Sequence, residues 1–133
     1  MVGYLLASHG NLSEGVLSTL NLICGPQDKV ATLTLQGDDD IDAFEEKIAK
    51  PVEELNDGDG VIIMCDLLGG TPCNKSARLL ANKDVEILCG LNFPMLLGAY
   101  EARLQGLDLQ ATKAHCLEAA KDGVVCLREK LGM

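Results

Sequence analysis

The chain has no tryptophan and only four other aromatic residues, Tyr4, Phe44, Phe93 and Tyr100. A flavin or a nucleobase would find few rings to stack on. The glycine-rich patterns that cradle nucleotide phosphates, GxxxxGK[ST] and GxGxxG, are both missing. Basic residues are scarce: 11 Lys and Arg stand against 20 Asp and Glu, for a formal charge of -9. They are scattered singly, at Lys47, Lys50, Lys75, Arg78, Lys113, Lys121 and Arg128 among others, and form no patch. That argues against nucleic acid and anionic membrane, and suits a basic protein partner. No apolar run approaches the roughly 18 residues needed to span a bilayer, and no basic segment precedes the short apolar start, so a cytoplasmic protein is expected. Nothing reads CxxC and no Cys/His spacing fits zinc, so no metal is expected. The six cysteines sit mostly inside apolar stretches and read as buried reduced thiols. Repeats, low-complexity tracts and long linkers are absent, and 133 residues are expected to form one domain, 1–133.

What is present alternates in type. "VGYLLA" (2–7), "VATLTL" (30–35), "GVIIMC" (60–65) and "VEILCG" (85–90) are short apolar runs bounded by Gly, Asp or Lys, as buried strands are. Between them the apolar spacing is helical: Leu12, Val16, Leu17, Leu20 and Ile23 on one segment, and Ile41, Phe44, Ile48, Val52 and Leu55 on the next. A third helix is predicted from Thr71, with Pro72 at its first turn and Ala77, Leu80 and Ala81 on its apolar face. "FPMLLGAYEARL" supplies a fourth. This order predicts an open α/β layer: a mainly parallel sheet, right-handed crossovers and helices on both faces. The tail adds another helix, "DLQATKAHCLEAAKD", with Leu109, Ala114, Leu117 and Ala120 on one side. A short final strand, "GVVCL", then lacks an obvious neighbour to pair with.

Ligands of open α/β sheets gather at the carboxyl ends of the strands. Three stretches reach that edge: "SHGNLSEG" after the first strand, "DLLGGTPCN" (66–74) after the third and "GLNFPML" (90–96) after the fourth. Asp66 directly follows an apolar strand. Gly69 and Gly70 permit a tight turn with outward amides, and Thr71-Pro72 opens a helix whose free amides favour an anion. A plain turn with Thr71 as a helix cap accounts equally well for that stretch alone. His9 has a free pKa of about 6.5 and can be neutral and nucleophilic near pH 7. A carboxylate on Nδ1 would fix its tautomer and leave Nε2 to attack, with Asp66 the candidate. A histidine at a strand end also serves as a structural hydrogen-bonder. His115, among Lys113, Cys116 and Glu118 on a predicted helix, reads that way. Ser8 adjoins His9 and would point elsewhere, so no hydroxyl-histidine-acid triad forms.

Together the three stretches resemble the IIA components of the mannose/fructose/sorbose class of the bacterial sugar phosphotransferase system. "ASHGNLSEG" resembles the phosphorylation motif, "DLLGGTPCN" the aspartate-Gly-Gly loop and "GLNFPML" the third signature, in the family's order. The resemblance implies a phosphotransferase working through a phosphohistidine at His9, with Asp66 orienting it. It further implies that Gly69, Gly70 and Thr71 hold the phosphoryl group and that Ser8, Gly10 and Asn92 support the loops. Phospho-HPr would be the donor and a IIB domain the acceptor, on a separate chain because no IIB-like stretch follows. Membrane IIC and IID subunits would take part indirectly, and no cofactor or nucleic acid is implied. It also implies a homodimer in which the C-terminal strand crosses to the partner's sheet. Three other readings stay open at this level: the phosphoryl donor of a dihydroxyacetone-kinase system, a non-catalytic flavodoxin-like module binding a phosphorylated ligand, and a structural dimer. Within the first reading, the role could be regulatory instead of transport.

Overall fold

A computed structural model describes residues 1–133. Four strands, β1 (Gly3–His9), β2 (Val30–Leu35), β3 (Val61–Cys65) and β4 (Val85–Cys89), form one parallel sheet in the order β2-β1-β3-β4. The chain leaves β1 toward β2 on one side, then returns across β1 to β3 and continues outward to β4. The carboxyl ends of β1 and β3 therefore lie side by side where the order reverses, the crevice in which open α/β sheets bind ligands.

Strand alternation divides the core in two. Tyr4 and Leu6 of β1, with Ile62 and Met64 of β3, face a cluster that includes Val16 and Leu20 of α1 (Leu12–Cys24), Met95, Leu96 and Ala99 of α4 (Phe93–Leu104) and Cys116 of α5 (Leu109–Asp122). Leu5 and Ala7, with Ile63 and Cys65, face Phe44, Ile48, Val52 and Leu55 of α2 (Ile41–Leu55). On the second face Cys73 of α3 (Thr71–Ser76) packs against the same cluster. The same parity turns Ser8 toward α1 and His9 toward α2 and α3.

Helix starts follow local chemistry. Asp40 accepts the Asp42 amide, Asn92 the Met95 amide and Asp108 the Ala111 amide, each satisfying a donor that has no partner inside the helix. The predicted third helix is cut short. It is α-helical only to Ser76, whose hydroxyl donates to Pro72 O at 2.7 Å, and continues as a 3-10 turn over Ala77–Ala81. The tighter winding rotates the face, so Ala77, Leu80 and Ala81, expected inward, are exposed and Leu79 packs inward instead. Likewise Leu12, Ile23 and Ile41 stay exposed at the ends of their helices, and Ala114 of α5 is exposed while Thr112 and Cys116 are buried.

The C-terminal stretch stands outside the sheet. Val124, Val125 and Cys126 pair with no strand of this chain, and α6 (Leu127–Lys130) is one helical turn. The Val124 amide donates to Lys121 O and Cys126 O accepts the Lys130 amide, so this stretch follows the helix ends on either side of it, and Val124 is 75% exposed. No helix is long and apolar enough to cross a membrane.

Candidate functional site

His9 is the last residue of β1, and its side chain is 46% exposed. Asp66 follows the last residue of the neighbouring β3, with a side chain only 12% exposed. One carboxylate oxygen, Asp66 Oδ2, accepts the His9 backbone amide at 2.9 Å and faces His9 Nδ1 at 2.9 Å. An ionised carboxylate can only accept, so the proton lies on Nδ1. Nε2 is left with a free lone pair and has no partner within the chain.

Burial would raise the Asp66 carboxyl, but the hydrogen bonds from the His9 ring and backbone outweigh it and hold it below its ordinary range. A carboxylate lowered on folding contributes stability that is complete above its unfolded value of about 4 and is lost as pH falls through the folded one. The clasp on His9 is therefore intact at neutral pH and opens only in acid. The other oxygen, Asp66 Oδ1, is buried with no hydrogen-bond partner.

The loop after β1 is anchored from below. Ser8 is wholly buried; its Oγ accepts the Ser13 amide at 2.9 Å and donates to Gly10 O at 3.3 Å, tying the turn to the first residues of α1. Gly10 has φ +55°, a left-handed turn, and its amide donates to Leu35 O at 2.8 Å.

The loop after β3 closes over the imidazole. Gly69 turns at φ +82°, and at Gly70 a Cβ would lie 2.8 Å from His9 Cε1. The Gly70 amide is spent on Leu67 O at 3.1 Å, whereas the amides of Gly69 and Thr71 donate to no group in the chain. Asn74 braces this turn: its amide donates to Gly70 O and its side chain to Gly69 O at 3.0 Å. Because only a hydrogen fits between Gly70 and the ring, Gly70→Ala should displace one of them. About 10²-fold loss of any chemistry at His9 is expected from a shift of that size, with the fold retained. Circular dichroism and a His9 transfer rate check this, and an unchanged rate would show that the close approach is not needed.

A hollow of about 390 Å³ opens beside the ring, lined by His9, Gly10, Leu35, Gln36, Gly37, Asp39, Ile41 and Thr71. No Lys or Arg lines it, so an anion there would rest on amides and the Thr71 hydroxyl. Its wall from the loop after β2 had no part in the sequence expectation. There the Gln36 side chain donates to Asn11 Oδ1 at 3.0 Å, and Asp39 accepts the Gln36 amide. The signal was available: in a parallel sheet the stretch after "VATLTL" must emerge at the same edge. Asn92 lies apart, capping α4 and donating to Ala120 O of α5. His115 stands 3.3 Å from Glu101 on the far face, where α5 packs on α4. A larger hollow, about 630 Å³, opens at the amino end of the sheet beside Tyr4 and Arg103 and shares no residue with the first.

Residues 3–117 match the family model described as the PTS system fructose IIA component. The chain is 26% identical over 130 residues to the mannose-specific EIIAB component of Escherichia coli K12, covering 97% of this chain and 40% of the relative. It thus spans about two-fifths of the length of that curated relative. Among solved structures it is similar to the phosphotransferase system component EIIA of Streptococcus agalactiae, with TM-score 0.87, 27% identity and coverage of 97% and 99% of the two chains. It is also similar to the PTS IIA protein associated with the fucose utilization operon of Streptococcus pneumoniae, with TM-score 0.83, 32% identity and coverage of 98% and 99%.

Proposed function

The chain belongs to the family of IIA components of the sugar phosphotransferase system, and on that premise we propose that it is a phosphoryl carrier. It takes the group from phospho-HPr onto His9 Nε2 and hands it to a IIB domain, for sugar uptake through membrane IIC and IID subunits. The observation that carries this reading is the polarity of His9: Nδ1 is held at 2.9 Å from a carboxylate while Nε2 is free and turned to an open edge.

In the first half-reaction the Nε2 lone pair attacks phosphorus in line, the donor's P–N bond breaks, and the donor nitrogen keeps that electron pair. His9 acquires a phosphoryl group and a ring charge, which the Asp66 carboxylate balances through Nδ1–H. The phosphoryl oxygens are placed to accept from the Gly69 and Thr71 amides and the Thr71 hydroxyl, donors already oriented before the transfer. The second half-reaction runs the same geometry in reverse, with the acceptor's nucleophile in line. Relatives named for mannose, fructose, sorbose and fucose are consistent with sugar choice lying outside this chain.

Incubation with phosphoenolpyruvate, enzyme I and HPr should add the mass of one phosphoryl group, measured on the intact chain. The label should leave in acid and persist in alkali, as a phosphoramidate does. No added mass, or a label on serine, threonine or cysteine, would leave a phosphate-binding module as the better account.

The carrier is further proposed to be a homodimer held by its C-terminal segment. Val124, Val125, Leu127, Leu131 and Met133 are all exposed on the single chain, a concentration of apolar surface that a second copy would cover. Deleting residues from Gly123 onward should give monomer or aggregate in light scattering. An unaltered soluble dimer would remove the tail from the interface.

A further inference from the structure

We propose that Cys73 and Cys89 form a reversible disulfide, a modification site beneath the Gly69–Thr71 loop, by exchange with a low-molecular-weight disulfide. Cys89 ends β4, and Cys73 lies in the first turn of α3 above it; their sulfurs are 3.3 Å apart. Strand parity produces this contact. Cys89 pairs in register with Cys65, whose side chain points into the α2-side core, so Cys89 faces the same way and meets the helix laid over that face. A disulfide bond is about 2.05 Å long, so the sulfurs need to close by only about 1.2 Å. Both residues are half-buried and open to a small reagent, while Cys65 is fully buried.

Burial, and then the neighbouring Cys73 sulfur, push the Cys89 thiol up to about 11, and burial pushes Cys65 up to about 12. The thiolate is the reacting form, and the exchange can open at Cys73. Cys73 Sγ attacks the small disulfide, one S–S bond breaks as another forms, and the first small thiol leaves with the proton that Cys73 gave up. Cys89 then loses its proton and displaces the second small thiol from Cys73. Two protein thiols are oxidised, one small disulfide is reduced to two thiols, and atoms and electrons balance.

The bond would act on the site through the loop. Cys73 is three residues beyond Gly70, which touches the His9 ring, and the intervening turn is braced as a unit by Asn74. Drawing Cys73 toward β4 moves that unit, with Gly69 at φ +82° as the pivot. An effect on phosphoryl uptake would rest on the carrier reading above; the disulfide itself does not.

The test treats the full chain with excess oxidised glutathione, alkylates the remaining thiols and maps peptides without reduction. One cross-linked peptide joining Cys73 and Cys89 is expected, with no glutathione retained and full reversal by dithiothreitol. Cys89→Ser should trap glutathione on Cys73, and Cys73→Ser should form no cross-link. Glutathione held on wild-type Cys73, a cross-link through Cys24 or the exposed Cys126, or no reaction would overturn the proposal. Imidazole NMR on the oxidised chain reads the coupling: His9 signals should shift and His115 signals should not. Unmoved His9 signals would sever the disulfide from the site. A mapped disulfide in a chain that HPr does not phosphorylate would uphold the modification and reject the carrier.

Discussion

His9→Ala should take up no phosphoryl group from phosphoenolpyruvate, enzyme I and HPr, while His115→Ala should be labelled like the unaltered chain. The contrast follows from what surrounds each ring. His9 stands at the open carboxyl edge with Nε2 free, beside a hollow lined by Thr71 and near the Gly69 and Thr71 amides, which donate to no group in the chain. His115 has Nε2 turned 3.3 Å from the Glu101 carboxylate, on a helix face with no such donors. Alanine at position 9 removes the nucleophile without disturbing the core, since the ring it replaces is half in solvent and β1 is held by its backbone ladders. The expected effect is thus complete loss of label with thermal unfolding little changed. Residual label on His9→Ala, measured by intact mass and acid lability, would place the phosphoryl group elsewhere. Loss of label in His115→Ala with the fold intact would do the same.

Asp66→Asn is expected to slow transfer by about 10³-fold or more while leaving the fold in place, in line with the loss seen when an orienting carboxylate is replaced by its amide. The substitution is nearly isosteric, but it changes what faces Nδ1. The carboxylate can only accept and so holds the proton there, whereas an amide can turn its NH₂ toward the ring and favour the tautomer protonated on Nε2, the atom proposed to attack. It also removes the negative charge that balances the ring once phosphorylated. A rapid-quench transfer rate, together with ¹⁵N chemical shifts that report which ring nitrogen bears the proton, checks both parts. A wild-type rate would take Asp66 out of the mechanism. A slowed rate with the Nδ1–H tautomer unchanged would assign its effect to charge alone.

The strands and the edge at which His9, Asp66 and the glycines appear were legible because those signals are local. An apolar run that stops at a polar residue marks both a strand and its end, as "VIIMC" does before Asp66. The misread parts have equally specific causes. In the third helix a buried Ser76 hydroxyl bonded back to Pro72 O, and the winding tightened, so a 3.6-residue period no longer described Ala77 to Ala81. The Gln36 and Asp39 wall of the hollow carried no motif, although the parallel order places it at the same edge.

By itself, the order of amino acids determined the alternation of strand and helix and the residues that each strand end delivers to solvent, since side-chain periodicity and turn chemistry act over a few neighbours. Tertiary structure decided which ends meet. The order β2-β1-β3-β4 sets β1 beside β3 and brings His9 against Asp66 across 57 positions of chain. It also decided that Nδ1 faces the carboxylate, that Gly70 leaves room only for a hydrogen at the ring, and that the sulfurs of Cys73 and Cys89 touch. These are distances between elements, set by how the two faces of the sheet pack, and no local pattern encodes them.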